Sequence, residues 1–124
     1  MERTLTEEPT FDPDHLSEIE CPRIARNVEP MVELFEILSR SRSLEVLFAF
    51  ANDAGPWRFN ELKRELEIPA NTLSRRLDEF EEFGLLTREY HKTVPPTVEY
   101  DATPAAIAIR PMLQYLTLWV EHDW

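Results

Sequence analysis

The most restrictive feature of this sequence is a stripe of large apolar residues followed at once by a glycine. The stripe consists of Leu73, Leu77, Phe80 and Phe83. Intervals of four, three and three residues place these side chains along one face of an α-helix. Gly84 comes next, and glycine ends many helices because it tolerates the left-handed conformation. The sequence therefore predicts a helix over residues 70–83 whose apolar face packs into a core.

Two strand-like segments follow this helix. Residues 85–90 and 97–101 contain the β-branched and aromatic residues that favour strands. Pro95 and Pro96 lie between them and cannot donate hydrogen bonds to a central ladder. We therefore expect a β-hairpin whose tip projects from the rest of the chain.

Other helices are expected on both sides of this pair of elements. Helical spacing of apolar residues predicts helices over residues 30–39, 44–53, 60–66 and 104–121. Pro111 should kink or restart the last of them. The predicted order is a short helix, a tight turn, a longer helix and a hairpin. This is the order of a winged helix-turn-helix, which reads duplex DNA. The predicted fold class is mainly α with a small β-hairpin.

The polar residues of this unit suit a DNA interface. With Leu73 and Leu77 buried, the exposed N-terminal half of the predicted helix 70–83 offers groups that can bond base edges. Further basic side chains on the hairpin and beside the preceding helix would reach phosphates or the minor groove of the DNA. The candidate DNA-binding residues are Arg58, Asn60, Lys63, Asn71, Thr72, Arg75, Arg76, Arg88, His91 and Lys92. The alternative for Arg75 and Arg76 is ion pairing with Asp78, Glu79 or Glu82 along the same helix.

The charge balance is unusual for a DNA-binding chain. Acidic residues number 24 and basic residues 13, which gives a formal net charge of −11, and Lys63 and Lys92 are the two lysines. This composition is typical of a protein that works in a very salty cytoplasm, as in a haloarchaeon, where charge repulsion is screened. The alternative is an acidic surface that serves solubility. At high salt, inorganic cations would bridge carboxylates to phosphates at the DNA interface.

Several other classes of protein are excluded or disfavoured. No apolar run is long enough to span a membrane, and the acidic N-terminus does not resemble a targeting peptide, so we expect a cytoplasmic protein. Three histidines and two glycines provide no known catalytic or phosphate-binding motif, so neither catalysis nor a cofactor nor a metal site is expected. Residues 1–28 form an acidic N-terminal arm, and residues 29–124 form the domain. Cys21 in this arm is a candidate redox sensor, although a free cysteine is more often inert.

The sequence also resembles a known family, the HxlR-type winged-helix regulators, which are related to the MarR and PadR groups. The resemblance covers about residues 44–119. It is carried by Gly55-Pro56-Trp57-Arg58-Phe59-Asn60-Glu61-Leu62, Leu73-Ser74-Arg75-Arg76-Leu77, Phe83-Gly84-Leu85-Leu86-Thr87-Arg88 and Val94-Pro95-Pro96-Thr97-Val98-Glu99-Tyr100. It implies a homodimeric transcription regulator with helix 70–83 in the major groove and the hairpin as the wing. Glu67 and Pro69 depart from the family pattern, which usually has glycine and often a serine cap there.

The terminal helices of the domain suggest how it assembles. Their apolar faces are wider than a small winged-helix core needs, so a second copy is expected to cover them. The candidate dimer residues are Met31, Phe35, Leu38, Ile109, Met112, Leu113, Leu116, Trp119 and Val120. The alternative is that the last helix closes the core of the monomer. A twofold dimer predicts a pseudo-palindromic operator. A winged-helix module that binds another protein is the alternative function.

Overall fold

The structure is a computed structural model that describes residues 27–124. Residues 27–110 form one compact unit, and residues 111–124 are described by themselves. Most of the predicted N-terminal arm, including Cys21, lies outside the described residues. Among the residues described, no helix is both long and apolar enough to cross a membrane.

The order of the elements agrees with the order expected from the sequence. The elements are α1 (Glu29–Leu38), α2 (Ser43–Asn52), β1 (Trp57–Arg58), α3 (Phe59–Leu66), α4 (Ala70–Phe83), β2 (Leu86–His91), β3 (Thr97–Ala102), α5 (Pro104–Ala108) and α6 (Arg110–Glu121). The helix expected over residues 104–121 is two helices, because the chain restarts at Ile109 and Arg110 just before Pro111. The hydroxyl of Thr103 accepts a hydrogen bond from the backbone nitrogen of Ala106 at 3.3 Å and so caps α5.

The hairpin is part of a three-stranded antiparallel sheet with strand order β1-β3-β2. Trp57 of β1 lies opposite Tyr100 of β3. A two-residue strand is too short to produce an alternating pattern, so the sequence did not indicate β1. With this sheet beside the helices, the fold is a winged helix-turn-helix that is mainly α, as predicted.

The core lies where α2, α3 and α4 meet the hairpin. Leu73, Leu77 and Phe80 of α4 are fully buried, together with Phe50 of α2 and Leu62 of α3. The inclusion of Phe83 in the buried stripe was wrong, because its side chain is exposed. At 3.6 residues per turn, position 83 lies about 90° away from the centre of the stripe.

Candidate nucleic-acid interface

The turn between α3 and α4 keeps its shape despite the two departures in its sequence. Glu67 ends α3 with φ 52° and ψ 46°, in the left-handed conformation that glycine usually occupies. Ile68 is buried beneath the turn. Pro69 then occupies the N-cap position of α4 in an extended conformation, with no side-chain cap. The two helices are therefore joined by a tight turn, as a helix-turn-helix requires.

The outer face of α4 carries a polar stripe. Asn71, Ser74, Arg75 and Asp78 are all exposed, and their spacing places them on one face of the helix. Thr72 is half-buried at the edge of this stripe. Among the described residues, Arg75 has no ion pair, unlike its neighbour Arg76. Ser74 was not among the candidate residues, although its spacing from Asn71 and Arg75 was sufficient to find it.

Arg76 does not project from this exposed face. Its side chain is 13% exposed and pairs through Nη1 with Oε1 of Glu79. Its Nε atom also donates a hydrogen bond to the backbone oxygen of Ser41 at 2.8 Å. The expectation that Arg76 lies exposed beside Arg75 was therefore wrong, and the alternative of an ion pair with Glu79 is the arrangement observed. The physical reason is that position 76 borders the buried stripe, where these two acceptors lie within reach.

The hairpin separates two of the predicted basic contacts. Successive residues of a strand point to opposite faces, so Arg88 and His91 lie on different faces of β2. On the face of His91, Glu89 lies opposite Glu99 in the register of the hairpin. The Nε2 atom of His91 is 3.6 Å from Oε1 of Glu99. This face of the wing is thus acidic rather than basic.

Arg88 faces the other way, towards Tyr100, which lies opposite it in the register. Burial raises the pKa of the Tyr100 hydroxyl, and the Arg88 guanidinium beside it opposes part of that rise. Asp78 and Glu81 of α4 raise the same pKa further through their negative charges. Arg88 therefore lies at the junction between the sheet and the C-terminal half of α4.

The remaining candidate DNA-binding residues are exposed. Lys92 follows β2, at the base of the hairpin loop. Within that loop the Thr93 hydroxyl donates to the backbone oxygen of Pro95 at 2.7 Å. Around α3 the exposed residues are Arg58, Asn60 and Lys63. The backbone nitrogen of Arg58 donates to Oε1 of Glu61 at 2.9 Å, which holds the start of α3. Arg64 is also exposed on α3 and was not singled out from the sequence.

The candidate dimer residues of α1 divide into exposed and buried side chains. Met31 and Phe35 are 55% and 50% exposed, while Leu38 is 6% exposed. Leu38 lies in the last turn of α1, next to the start of α2, so it belongs to the core and presents no surface to a partner.

The C-terminal helix shows the same division. The exposed candidates on α6 are Met112, Leu116, Trp119 and Val120. Leu113 is buried, and Ile109, which precedes the helix, is half-buried. Leu113, one of the candidate dimer residues, therefore presents no surface to a partner.

The comparison with known sequences gives matches over most of the domain. A family model described as HxlR-like helix-turn-helix matches residues 37–124. The uncharacterised HTH-type transcriptional regulator BH0655 of Halalkalibacterium halodurans is 41% identical over 75 residues, which cover 60% of this chain and 66% of BH0655. This chain therefore spans just under two thirds of that relative. The uncharacterised HTH-type transcriptional regulator YvaP of Bacillus subtilis is 30% identical over 105 residues, which cover 84% of this chain and 88% of YvaP.

The comparison with solved structures concerns the fold. The reduced form of the transcriptional regulator YodB from B. subtilis superposes with a TM-score of 0.67 and 23% identity, covering 75% of this chain and 90% of YodB. The matching family is one of helix-turn-helix proteins, and BH0655 and YvaP are both named as transcriptional regulators, in agreement with the expectation that the chain is not an enzyme.

Proposed function

Because this chain belongs to the HxlR-like helix-turn-helix family, we propose that it is a transcription regulator that binds a specific DNA sequence through α4. The observation that carries the proposal is the polar stripe of α4, in which Asn71 and Arg75 are exposed on the outer face of the helix. A side chain that forms ion pairs or hydrogen bonds within the protein must break those bonds before it can read a base. Arg75 has no ion pair among the described residues, so it is free to enter the major groove.

The residues of the stripe match the chemistry of base edges. An arginine bonds guanine O6 and N7 in a bidentate manner, and an asparagine bonds adenine N6 and N7 in the same way. We assign these roles to Arg75 and Asn71. Thr72 and Ser74 would bond phosphates or touch a thymine methyl group. The exposed residues around α3, which are Arg58, Asn60, Lys63 and Arg64, would contact the phosphate backbone and fix the register.

The wing contributes less to DNA binding in this proposal than its sequence suggested. Lys92 at the base of the hairpin loop is exposed and would contact a phosphate. His91 lies beside the Glu99 carboxylate and Arg88 lies beside Tyr100. His91 would have to leave the Glu99 carboxylate before it could contact DNA, whereas the Arg88 side chain is exposed.

The protein acts as a homodimer in this proposal. Met31 and Phe35 on α1, and Trp119 and Val120 on α6, leave large apolar side chains exposed. Covering them with a second copy removes apolar surface from water. A twofold dimer would present two copies of α4 about 34 Å apart, one turn of DNA, and so would read a pseudo-palindromic operator.

The proposal includes function at high salt. A net charge of −11 opposes a polyanion at low ionic strength. Concentrated salt screens the distant carboxylates, while the close contacts of Arg75 survive. Inorganic cations between carboxylates and phosphates would assist the same contact.

The second candidate function is a module that binds a protein instead of DNA. The acidic face of the hairpin, where Glu89 and Glu99 lie opposite each other, favours it. Such a face repels phosphates and would attract a basic segment of a partner.

The test begins with selection of duplexes from a randomised library by the purified protein in molar KCl. We expect one pseudo-palindromic sequence to be enriched. Its fluorescein-labelled form is the probe for titration of wild-type protein, Arg75→Gln and the matched charge control Arg110→Gln. Loss of the Arg75 contact should weaken binding by about 5- to 150-fold, while Arg110→Gln, outside the stripe, should stay close to wild type. Failure to enrich any duplex would contradict the proposal and leave the protein-binding module as the better function.

A further inference from the structure

The carboxylate of Glu79 joins guanidinium groups from two different parts of the fold. Its Oε1 atom pairs with Nη1 of Arg76 on the same helix, α4. Its Oε2 atom pairs with Nη1 of Arg40, which lies in the turn between α1 and α2. We call these three residues the Glu79 clamp. The clamp is reinforced by the hydrogen bond from Nε of Arg76 to the backbone oxygen of Ser41 at 2.8 Å.

The same turn also holds α3. Nη2 of Arg42 donates a hydrogen bond to the backbone oxygen of Leu66 at 2.7 Å, in the last turn of α3. Nε of Arg42 bonds Oε2 of Glu45 at 2.8 Å, which fixes its orientation. The turn between α1 and α2 is therefore attached to both helices of the helix-turn-helix. Through Arg40 and Ser41 it holds α4, and through Arg42 it holds α3.

The clamp is shielded enough to constrain α4. The exposed fractions of the Arg76 and Glu79 side chains are 13% and 24%. Hydrogen bonds between ionised groups are stronger than neutral ones, and partial burial reduces their screening by water and salt. Arg76 follows Arg75 directly in the sequence. A bond at position 76 therefore restricts the rotation of α4 about its own axis, which determines the direction of Arg75.

We propose that the Glu79 clamp is a positioning device that sets the angle at which α4 presents Arg75 and Asn71 to the major groove. The inference rests on the DNA-binding function proposed above. Arg76 acts through its neighbours and not by touching a base. Glu79 and Arg40 are positioning residues of the same kind.

The positioning role of the clamp and simple electrostatics predict opposite effects of Glu79→Gln on DNA affinity. Glu79→Gln removes one negative charge from an acidic chain, and charge alone predicts tighter binding to DNA. Glutamine keeps the size of the side chain but loses the ion pairs with Arg40 and Arg76. If the clamp positions α4, the substitution weakens specific binding. Glu82→Gln is the matched control, because Glu82 is exposed on α4 and forms no ion pair among the residues described.

The experiment measures fluorescence anisotropy on the duplex enriched by the wild-type protein and on a scrambled duplex of the same composition. For Glu79→Gln we expect about tenfold weaker binding to the enriched duplex, comparable to the loss of one bidentate base contact, and no loss on the scrambled duplex. Glu82→Gln should bind both duplexes as well as wild type or better. Equal affinity of Glu79→Gln and Glu82→Gln for the enriched duplex would overturn the proposed positioning role of the clamp.

A second pair of variants covers the case in which Glu79→Gln does not fold. Arg40→Gln and Arg110→Gln each remove one positive charge, and only Arg40 belongs to the clamp. Arg40 is the most exposed member of the clamp, so its replacement disturbs the core least. We expect Arg40→Gln to lose discrimination between the two duplexes while Arg110→Gln keeps it. Equal discrimination by both would contradict the proposal.

A spectroscopic measurement separates positioning from direct contact. The Arg76 Nε–H group should give a slowly exchanging NMR signal in the free protein, and it should keep this signal in the DNA complex. Transfer of that hydrogen bond to DNA would make Arg76 a contact residue and overturn the proposal. If the wild-type protein enriches no duplex at all, the proposed function fails. If it enriches one and the clamp variants bind it normally, the clamp alone fails.

Discussion

The backbone at Gly55 passes so close to Tyr100 that a Cβ atom at position 55 would lie 2.7 Å from the Tyr100 backbone oxygen. Gly55 also has φ +112°, a conformation that other residues rarely adopt. This contact brings the loop before β1 onto β3, next to the hydrogen bond from the nitrogen of Ala102 to the oxygen of Ala54 at 2.9 Å. The small strand β1 therefore depends on the absence of a side chain at one position.

The first prediction concerns this glycine. Gly55→Ala should lower the free energy of unfolding by about 2–4 kcal/mol, because backbone strain and a clash with a backbone atom act together. Gly84→Ala is the control, since Gly84 has φ +95° but nothing within 4 Å of the added atom. Gly84→Ala should lower the free energy of unfolding by about 1–2 kcal/mol, because only the strain of the left-handed conformation acts there. Urea denaturation followed by circular dichroism measures both, and equal losses would show that the contact with Tyr100 is unimportant.

The second prediction concerns the turn of the helix-turn-helix. Glu67 has φ 52°, so replacing it with glycine removes the cost of a left-handed side-chain-bearing residue. We expect Glu67→Gly to raise the free energy of unfolding by about 1 kcal/mol. Glu65→Gly, within the helical part of α3, should lower it by about the same amount. Destabilisation by Glu67→Gly in urea unfolding would show that its side chain makes a contact of greater value.

The third prediction follows from the raised pKa of Tyr100. The unfolded tyrosine releases its proton near pH 10, and burial in the folded protein delays that release to higher pH. Above about pH 10 the unfolded state thus holds fewer protons, and the free energy of unfolding falls as the pH rises. Below pH 10 the contribution of Tyr100 is fully present.

The measurement for Tyr100 is urea unfolding across an alkaline pH series. Tyr100→Phe should show a smaller loss of stability above pH 10 than wild type. Tyr90→Phe is the control because Tyr90 is exposed on β2, and it should lose stability as wild type does. An unchanged pH profile for Tyr100→Phe would mean that other groups govern the alkaline transition.

The fourth prediction concerns assembly. Phe35 is 50% exposed on α1, so Phe35→Ser should convert the proposed dimer to a monomer while the unfolding of the chain itself changes little. Val94→Ser, at the fully exposed tip of the hairpin, removes an apolar side chain outside both terminal helices and should leave the dimer intact. Light scattering coupled to size exclusion gives the mass. A monomeric wild-type protein at all concentrations would remove the dimer from the proposed function.

The helices were predictable because their information is local. The stripe of Leu73 and Leu77 identified α4 by periodicity, and Gly84 ended it where the structure ends it. Strand β1 was not predictable in this way, because Trp57 joins the sheet through pairing with Tyr100, a partner distant in the sequence. Local signals do not report such pairing.

The candidate site was only partly predictable for the same physical reason. Exposure of Asn71 and Arg75 follows from their angle relative to the buried stripe. The engagement of Arg76 depends on Ser41 and Arg40, which reach α4 from a different turn. The division of Arg88 and His91 between two faces follows from strand alternation, but its consequence depends on Tyr100 and Glu99 across the hairpin.

The last prediction distinguishes base reading from phosphate contact through its dependence on salt. Lys63 is exposed on α3 and would neutralise a phosphate, whereas Arg75 would read a base. Lys63→Gln should weaken binding to the enriched and scrambled duplexes about equally. It should also reduce the slope of log affinity against log salt by about 1. Arg75→Gln should reduce the preference for the enriched duplex by about 1–3 kcal/mol. Titrations over a series of KCl concentrations measure both quantities.

For the wild-type protein we expect affinity to be retained in molar KCl, because screening of its carboxylates offsets the usual loss of phosphate contacts. A steep fall in affinity between low and molar KCl would contradict adaptation to high salt, while loss of preference in Lys63→Gln would show that base reading extends to α3.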